Sequence, residues 1–305
     1  MVKLLLALRA DVGENRVVLS REEYEQLISA YRNLFTIKTI FERFLCASSS
    51  GKKMFSIITR TWNPVTGCRH GCRYCWARRL ALTKLRNRER YAKGFIPRLN
   101  EEEFKVKFND GEMVFVSDMG DLFGSFIPRR WIIRVINHIR RFPRTFFLFL
   151  TKNPQRYEEF IDIMPENAIL GATIETNRDA LYTEHRISRA PLPSVRIRAM
   201  INLTWDKKFI SIEPVLDFDL EAFLGQLMRI NPIMIYIGYD NYNNRLPEPP
   251  LSKVLTLIER LSKSPILVIA KTLRRAWFED LTAYVEGSPC QGQARSNGSR
   301  EKSLS

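Results

Sequence analysis

No hydrophobic run in these 305 residues approaches the roughly 18–20 residues needed to cross a bilayer. The apolar start, Met1–Leu8, is broken by Arg9 and Asp11, and no small-residue cleavage site follows. It reads as the start of a strand or helix rather than a secretion signal, so a cytoplasmic protein without membrane contact is expected. Cysteine is also scarce. Of five, Cys46 and Cys290 stand alone and the other three sit together, which excludes a disulfide framework and points to metal. There is no second cysteine cluster, so an auxiliary iron–sulfur centre is not expected. No internal repeat suggests a solenoid. Acidic residues are in deficit, 33 against 48 Lys and Arg, for a net charge of +15. Such an excess attracts polyanions by long-range field.

The positive charge is unevenly spread. Between Arg60 and Asn100 eleven Lys and Arg face one acid, Glu89. A second basic group comprises Arg129, Arg130, Arg134, Arg140, Arg141 and Arg144. Apolar content of 45% is that of a chain with a real core. The length suits one large domain with a small appendage.

Residues 1–50 read as that appendage. Arg16–Leu19 is a short strand. Ser20 then caps a helix, with Glu23 completing a capping box and Tyr24, Leu27, Ile28, Tyr31 and Leu34 forming an apolar stripe. The stripe packs on the main domain or recognises a protein partner. Residues 48–53 are a plausible linker, 51–286 the main domain, and the Ser-, Gly- and Arg-rich tail 287–305 is expected to be disordered.

Within the main domain, short runs apolar on both faces alternate with longer polar-periodic segments. The candidate strands are Met54–Thr59, Met113–Ser117, Phe146–Leu150, Ile169–Thr173, Phe209–Ile212, Ile233–Ile237 and Ile266–Ile269. Their spacing leaves room for helical crossovers, giving an α/β fold with a parallel sheet that curls into a full or partial barrel.

The clustered cysteines are Cys68, Cys72 and Cys75, spaced C-x3-C-x2-C in Thr61-Trp62-Asn63-Pro64-Val65-Thr66-Gly67-Cys68-Arg69-His70-Gly71-Cys72-Arg73-Tyr74-Cys75. Three thiolates can hold three corners of a cubane cluster and leave the fourth iron open. A closed zinc site is the alternative, but it needs four ligands, and only one C-x2-C pair is present. The loop follows the first candidate strand, at the end where barrel enzymes keep their chemistry.

This motif closely resembles that of the radical SAM superfamily. The lead-in Thr61–Cys68 and the segments Val116–Phe123, Leu150–Pro154, Gly171–Asn177 and Ser211–Pro214 resemble, in the same order, a phage Gp37/Gp68-like branch over roughly residues 54–272. The resemblance implies a partial (β/α)6 barrel whose three cysteines hold a 4Fe-4S cluster. S-adenosyl-L-methionine would bind the open iron and be cleaved reductively to abstract hydrogen from a substrate. It implies a flavodoxin- or ferredoxin-like reductant. It also implies that Tyr74 lies near the adenine, that Ser117 and Asp118 receive the cofactor's amine, and that Glu175 and Asn177 bind its ribose. Asp118 or Asn177 as ordinary caps are the alternatives.

Glu213, after an apolar strand, must line a lumen or meet a base. Lys271 is its mirror image, and the two form either a catalytic or a structural pair. Asp240 is a third catalytic candidate. The turn Gly238-Tyr239-Asp240-Asn241 departs from the Gly-Gly-Glu-Ser pattern of the phage-like branch, so no branch-specific substrate carries over. The basic surface beside the cysteines implies a nucleic-acid substrate. The competing reading is a zinc- or cluster-stabilised module that binds nucleic acid or protein without turnover.

Overall fold

A computed structural model of the chain describes residues 55–279, together with the single residue Arg21. The strand and helix read in residues 1–50, the linker, the tail, Cys46 and Cys290 lie outside the described residues.

Among the described residues there are nine strands. They are β1 (Arg60–Trp62), β2 (Val65–Thr66), β3 (Arg98–Leu99), β4 (Met113–Val116), β5 (Phe146–Thr151), β6 (Ala168–Thr173), β7 (Lys208–Ile212), β8 (Met234–Ile237) and β9 (Leu267–Ala270). Seven form one sheet in the order β1-β4-β5-β6-β7-β8-β9, with every pairing parallel. β2 and β3 form a separate antiparallel pair. Sequential order with parallel pairing requires a crossover after each strand, and helices supply most of them. Helix α1 (Trp76–Leu82) follows the cysteines. Helices α2 (Arg129–Ile139), α3 (Asp179–Glu184), α4 (Pro193–Asn202), α5 (Leu220–Ile230) and α6 (Leu251–Ser262) follow β4 to β8. A 3-10 segment, Pro154–Ile163, crosses from β5 to β6.

The strands bury both faces because successive side chains point opposite ways. Val114, Val116, Phe147, Phe149, Ile210, Ile212, Ile235 and Ile237 face a large core shared with the helices. In that core α2 buries Ile132, Val135, Ile136 and Ile139, a helical stripe. The alternate residues Met113, Phe115, Leu148, Ile169, Phe209, Met234 and Tyr236 face a second core, to which none of the described helices contributes. Residues 55–58 cover it. The Phe55 ring packs against Phe115, Phe209 and Tyr236 with centroids 4.8–5.5 Å apart.

This corrects the first candidate strand. Residues 55–58 form no strand and plug the inner face; Thr59 N–H donates to Met113 O at 2.9 Å, and β1 begins at Arg60. A short apolar run cannot tell a strand from a core plug by periodicity alone. The other six candidates lie within one residue of observed strands at either end. The sheet therefore has seven strands, not six. No pairing joins β1 to β9, so the sheet is open rather than a closed barrel. Among the described residues no helix is long and apolar enough to cross a membrane.

Phe55→Ala would leave the inner core without its plug. A stability loss of about 3–5 kcal/mol is expected, measured by denaturant unfolding. A loss under about 1 kcal/mol would contradict the packing role.

Candidate functional site

The parallel strands all end on one side, and a cavity of about 1000 Å³ opens there. Its walls carry Cys68, Cys72 and Cys75, with Tyr74, Asp118, Lys152, Glu213, Asp240 and Lys271 around them. The cysteine loop is held by its glycines. Gly67 has φ +84, and a side chain there would strike the Ile96 carbonyl oxygen at 2.0 Å. Gly67 N–H donates to Met119 O (2.9 Å), which ties the loop to the end of β4.

Each thiol is free and has one polar neighbour. Cys68 Sγ accepts from His70 N–H at 3.4 Å, and Cys75 Sγ, capping α1, accepts from Arg78 N–H at 3.3 Å. Cys72 Sγ lies 3.1 Å from Ser188 Oγ. Burial raises the Cys68 and Cys72 thiols; the Lys152 charge opposes this at Cys72. Among the described residues no three Cys, His, Asp or Glu side chains, Cys68, Cys72 and Cys75 included, stand grouped so as to hold a metal ion, so the fit rests on the chemistry of the donors. The donor set that faces the cavity is three soft sulfurs with N–H or O–H groups beside them. That set fits an iron–sulfur cluster, whose sulfurs are commonly tuned by such hydrogen bonds.

Two buried carboxylates lock the loop to the sheet. Asp121 accepts from His70 Nε2 (2.9 Å), Thr151 Oγ1 (2.6 Å), Lys152 N–H (2.9 Å) and Phe123 N–H (3.2 Å). Burial alone would raise its pKa, but His70 and these donors hold it below the usual carboxylate range. Glu175 is completely buried. Lys152 Nζ donates to its Oε1 (2.7 Å), Arg196 to its Oε2 (2.7 Å), and the Tyr74 hydroxyl also donates to Oε1. Burial pushes Glu175 upward, yet Arg196 and Lys152 outweigh it and bring the pKa down to about 2.

The other expected site residues divide. Lys271 Nζ donates to both oxygens of Glu213 at 2.9 Å and stands 5.4 Å over the Phe55 ring. Asp240 lines the cavity, but its carboxylate accepts from Asn244 N–H (2.6 Å) and Nδ2 (2.8 Å). Asp118 faces the cavity with Asn63 Nδ2 on one oxygen, and burial raises its pKa. Ser117, at φ +58, is buried with its hydroxyl unpartnered and is not part of the cavity wall. Asn177 is drawn away: its side chain accepts from Asp219 N–H at 2.9 Å and is not an N-cap. Glu175 lies behind the wall, so it reaches the cavity only through Tyr74 and Lys152.

Lys152, Asp121, His70 and Arg196 were not picked out from the sequence. Lys152 had a signal, a lone cation directly after an apolar strand. Arg196 had none, being one of two arginines in a helix.

Glu175→Gln would leave Arg196 and Lys152 as buried, uncompensated cations, a change that typically costs 3–5 kcal/mol. Because the folded pKa lies below the ordinary 4.5, the carboxylate stabilises the fold above pH 4.5. That contribution is lost as pH falls from 4.5 towards 2. Wild type should therefore lose stability through this window more steeply than Glu175→Gln, by about 3 kcal/mol in all. Parallel curves from denaturant unfolding across this pH range would contradict the assignment.

Residues 54–235 match a family model described as "Protein of unknown function (DUF5131)", a description that does not mention the expected phage branch. No curated protein matches the chain. Among solved structures, a mutant of spore photoproduct lyase is 11% identical with a TM-score of 0.51, covering 73% of this chain and 79% of that one. A spore photoproduct lyase mutant with bound AdoMet and dinucleoside spore photoproduct is 12% identical (TM-score 0.46, 68% of this chain and 62% of that one). Streptococcus suis SuiB bound to S-adenosylmethionine is 11% identical (TM-score 0.45, 88% and 59%). The chain thus spans about three fifths of the length of these last two. At such identities the first likeness is one of fold. With more than half of its length matched, the chain belongs to the DUF5131 family.

Proposed function

We propose that this protein is a radical SAM enzyme on a partial barrel. In this reading Cys68, Cys72 and Cys75 hold a 4Fe-4S cluster, and S-adenosyl-L-methionine occupies the open iron. Together the two groups supply reductive cleavage of the sulfonium and hydrogen abstraction from substrate. The observation that carries the reading is that three free thiols face one cavity at the carboxyl ends of a parallel sheet. The fold likeness to spore photoproduct lyase and the strand-end segments akin to the phage Gp37/Gp68-like branch support it.

Residue roles follow from position. Tyr74, oriented by its bond to Glu175, offers a ring to an adenine. Asp118 offers a carboxylate to an ammonium, whose charge would favour the ionised form against the burial that raises its pKa. Lys152 presents a cation beside Cys72, steadied by Glu175. Ser117 and Asn177 keep their proposed cofactor roles only through movement, since neither lines the cavity; Thr173 and Ser211 do. Glu213 and Lys271 form a polar pair on the far wall that can hold or pass a proton at Lys271 Nζ. Asp240 shapes the mouth by ordering Asn244. An external flavodoxin- or ferredoxin-like reductant supplies the electron, and a nucleic acid is the substrate that the surrounding charge favours. We place the enzyme in the cytoplasm, where such carriers act.

Anaerobic reconstitution with iron and sulfide tests the proposal. With dithionite and S-adenosylmethionine, the protein should release 5′-deoxyadenosine, and Cys72→Ala should abolish that release. Intact reconstituted protein that leaves S-adenosylmethionine uncleaved would overturn it.

A further inference from the structure

Both basic groups of the sequence spend part of their charge on acids. Arg129, Arg134 and Arg144 pair with Glu159, Glu101 and Asp110, and Arg60, Arg90 and Arg98 with Glu112, Glu103 and Glu89. Around the cysteine loop the arginines turn instead to backbone oxygens. Arg73 donates to His185 O (3.0 Å), Arg78 to Cys72 O (3.2 Å) and Arg189 to Arg69 O (3.1 Å). Among the described residues none of Arg69, Arg73, Arg78, Arg79, Arg186 and Arg189 has an ion-pair partner, and all but the half-buried Arg78 are exposed.

This unspent charge also has a shape. Arg78, Arg186 and Arg189 line a hollow of about 520 Å³ behind the cysteine loop, with Thr183 and Ser188 hydroxyls and no carboxylate on its wall. Helix α1 separates this hollow from the main cavity. Arg78 belongs to the hollow, while Trp76 and Ala77 line the main cavity. At the cavity mouth Tyr242 is 47% exposed, with the Arg79 guanidinium 4.6 Å from its ring centroid. Arg79 is fixed there by Asn244 Oδ1 at 3.0 Å, and Asp240 orders Asn244 in turn.

We propose that a single-stranded nucleic acid crosses α1, with backbone phosphates in the Arg78–Arg186–Arg189 hollow and a base stacked on Tyr242 at the cavity mouth. Arginine forks match phosphate oxygens bidentately. A flat aromatic braced by a cation is the platform that single strands use. A duplex does not meet the demand, because a target base or sugar must leave the stack to enter the cavity. This inference rests on the nucleic-acid reading above and supplies its docking track.

The test is fluorescence anisotropy with a labelled single-stranded oligonucleotide, without S-adenosylmethionine or reductant. Binding should weaken as salt rises. Arg186→Gln, which removes no hydrogen bond to the cysteine loop, should lower the slope of log affinity against log salt by about 0.7. Tyr242→Ala should weaken binding by roughly tenfold, and Tyr242→Phe should restore it. Arg141→Gln, at the far end of α2, should leave the slope unchanged. Unaltered slopes and affinities in folded Arg186→Gln and Tyr242→Ala, tighter binding to duplex, or capture of an acidic flavodoxin but not the oligonucleotide would each overturn the proposal. If 5′-deoxyadenosine forms normally while no oligonucleotide binds, this inference and the nucleic-acid substrate fail while the radical reading stands. If oligonucleotide binding follows the expected pattern but reconstituted protein leaves S-adenosylmethionine intact, the radical reading alone fails.

Discussion

A single buried carboxylate organises the site. Glu175, at the end of β6, joins Tyr74 of the cysteine loop, Lys152 at the end of β5 and Arg196 of α4. Without its two cations, burial would make that carboxylate costly; with them it is held ionised. The arrangement carries one more positive than negative charge into the wall beside Cys72. A surplus cation there opposes the burial that otherwise keeps a thiol protonated. The same contacts fix where Tyr74 and Lys152 point, so the geometry facing the cavity is set from behind it. Asp121 does a parallel job lower down by clamping His70, next to two of the cysteines in sequence, onto the end of β5.

Sheet and loop depend on each other. The parallel strands bring their carboxyl ends to one side, where Lys152, Glu213 and Lys271 directly follow their strands and Asp121 and Glu175 lie in the loops beyond theirs. A polar group at that point costs little only when it meets a partner or a ligand. Glu213 meets Lys271, Asp121 meets His70, and Glu175 meets Lys152. The thiols have only weak donors beside them, at 3.1–3.4 Å. Unsatisfied sulfur facing a large cavity is what a site for a soft metal cluster requires.

Much of this was legible in the residues. Seven short runs, apolar on both faces and spaced for crossovers, signal a covered parallel sheet, and six of them are strands. The seventh, around Phe55, is equally apolar because it fills the inner core rather than pairing, and composition does not separate these two fates. The cysteine spacing and its glycines are local signals and were readable as such. Long-range partnerships were not. Glu175 has the same strand-end signature as a ligand-binding carboxylate, but its exposure depends on Arg196, twenty-one residues on in a helix whose other arginine, Arg198, is exposed. Asn177 reads as a cap or a ribose ligand and instead holds Asp219, a pairing that only the packing of α5 creates. Net charge was legible as a number. Which arginines are spent on carboxylates and which are not depends on neighbours in space.

Electron paramagnetic resonance of the anaerobically reduced protein, recorded with and without S-adenosylmethionine, tests the central claim most directly. A three-thiolate cluster with an open iron gives a reduced 4Fe-4S signal whose g-values shift when the cofactor is added. A signal unmoved by the cofactor, or a protein holding one zinc ion and no inorganic sulfide, would contradict the account.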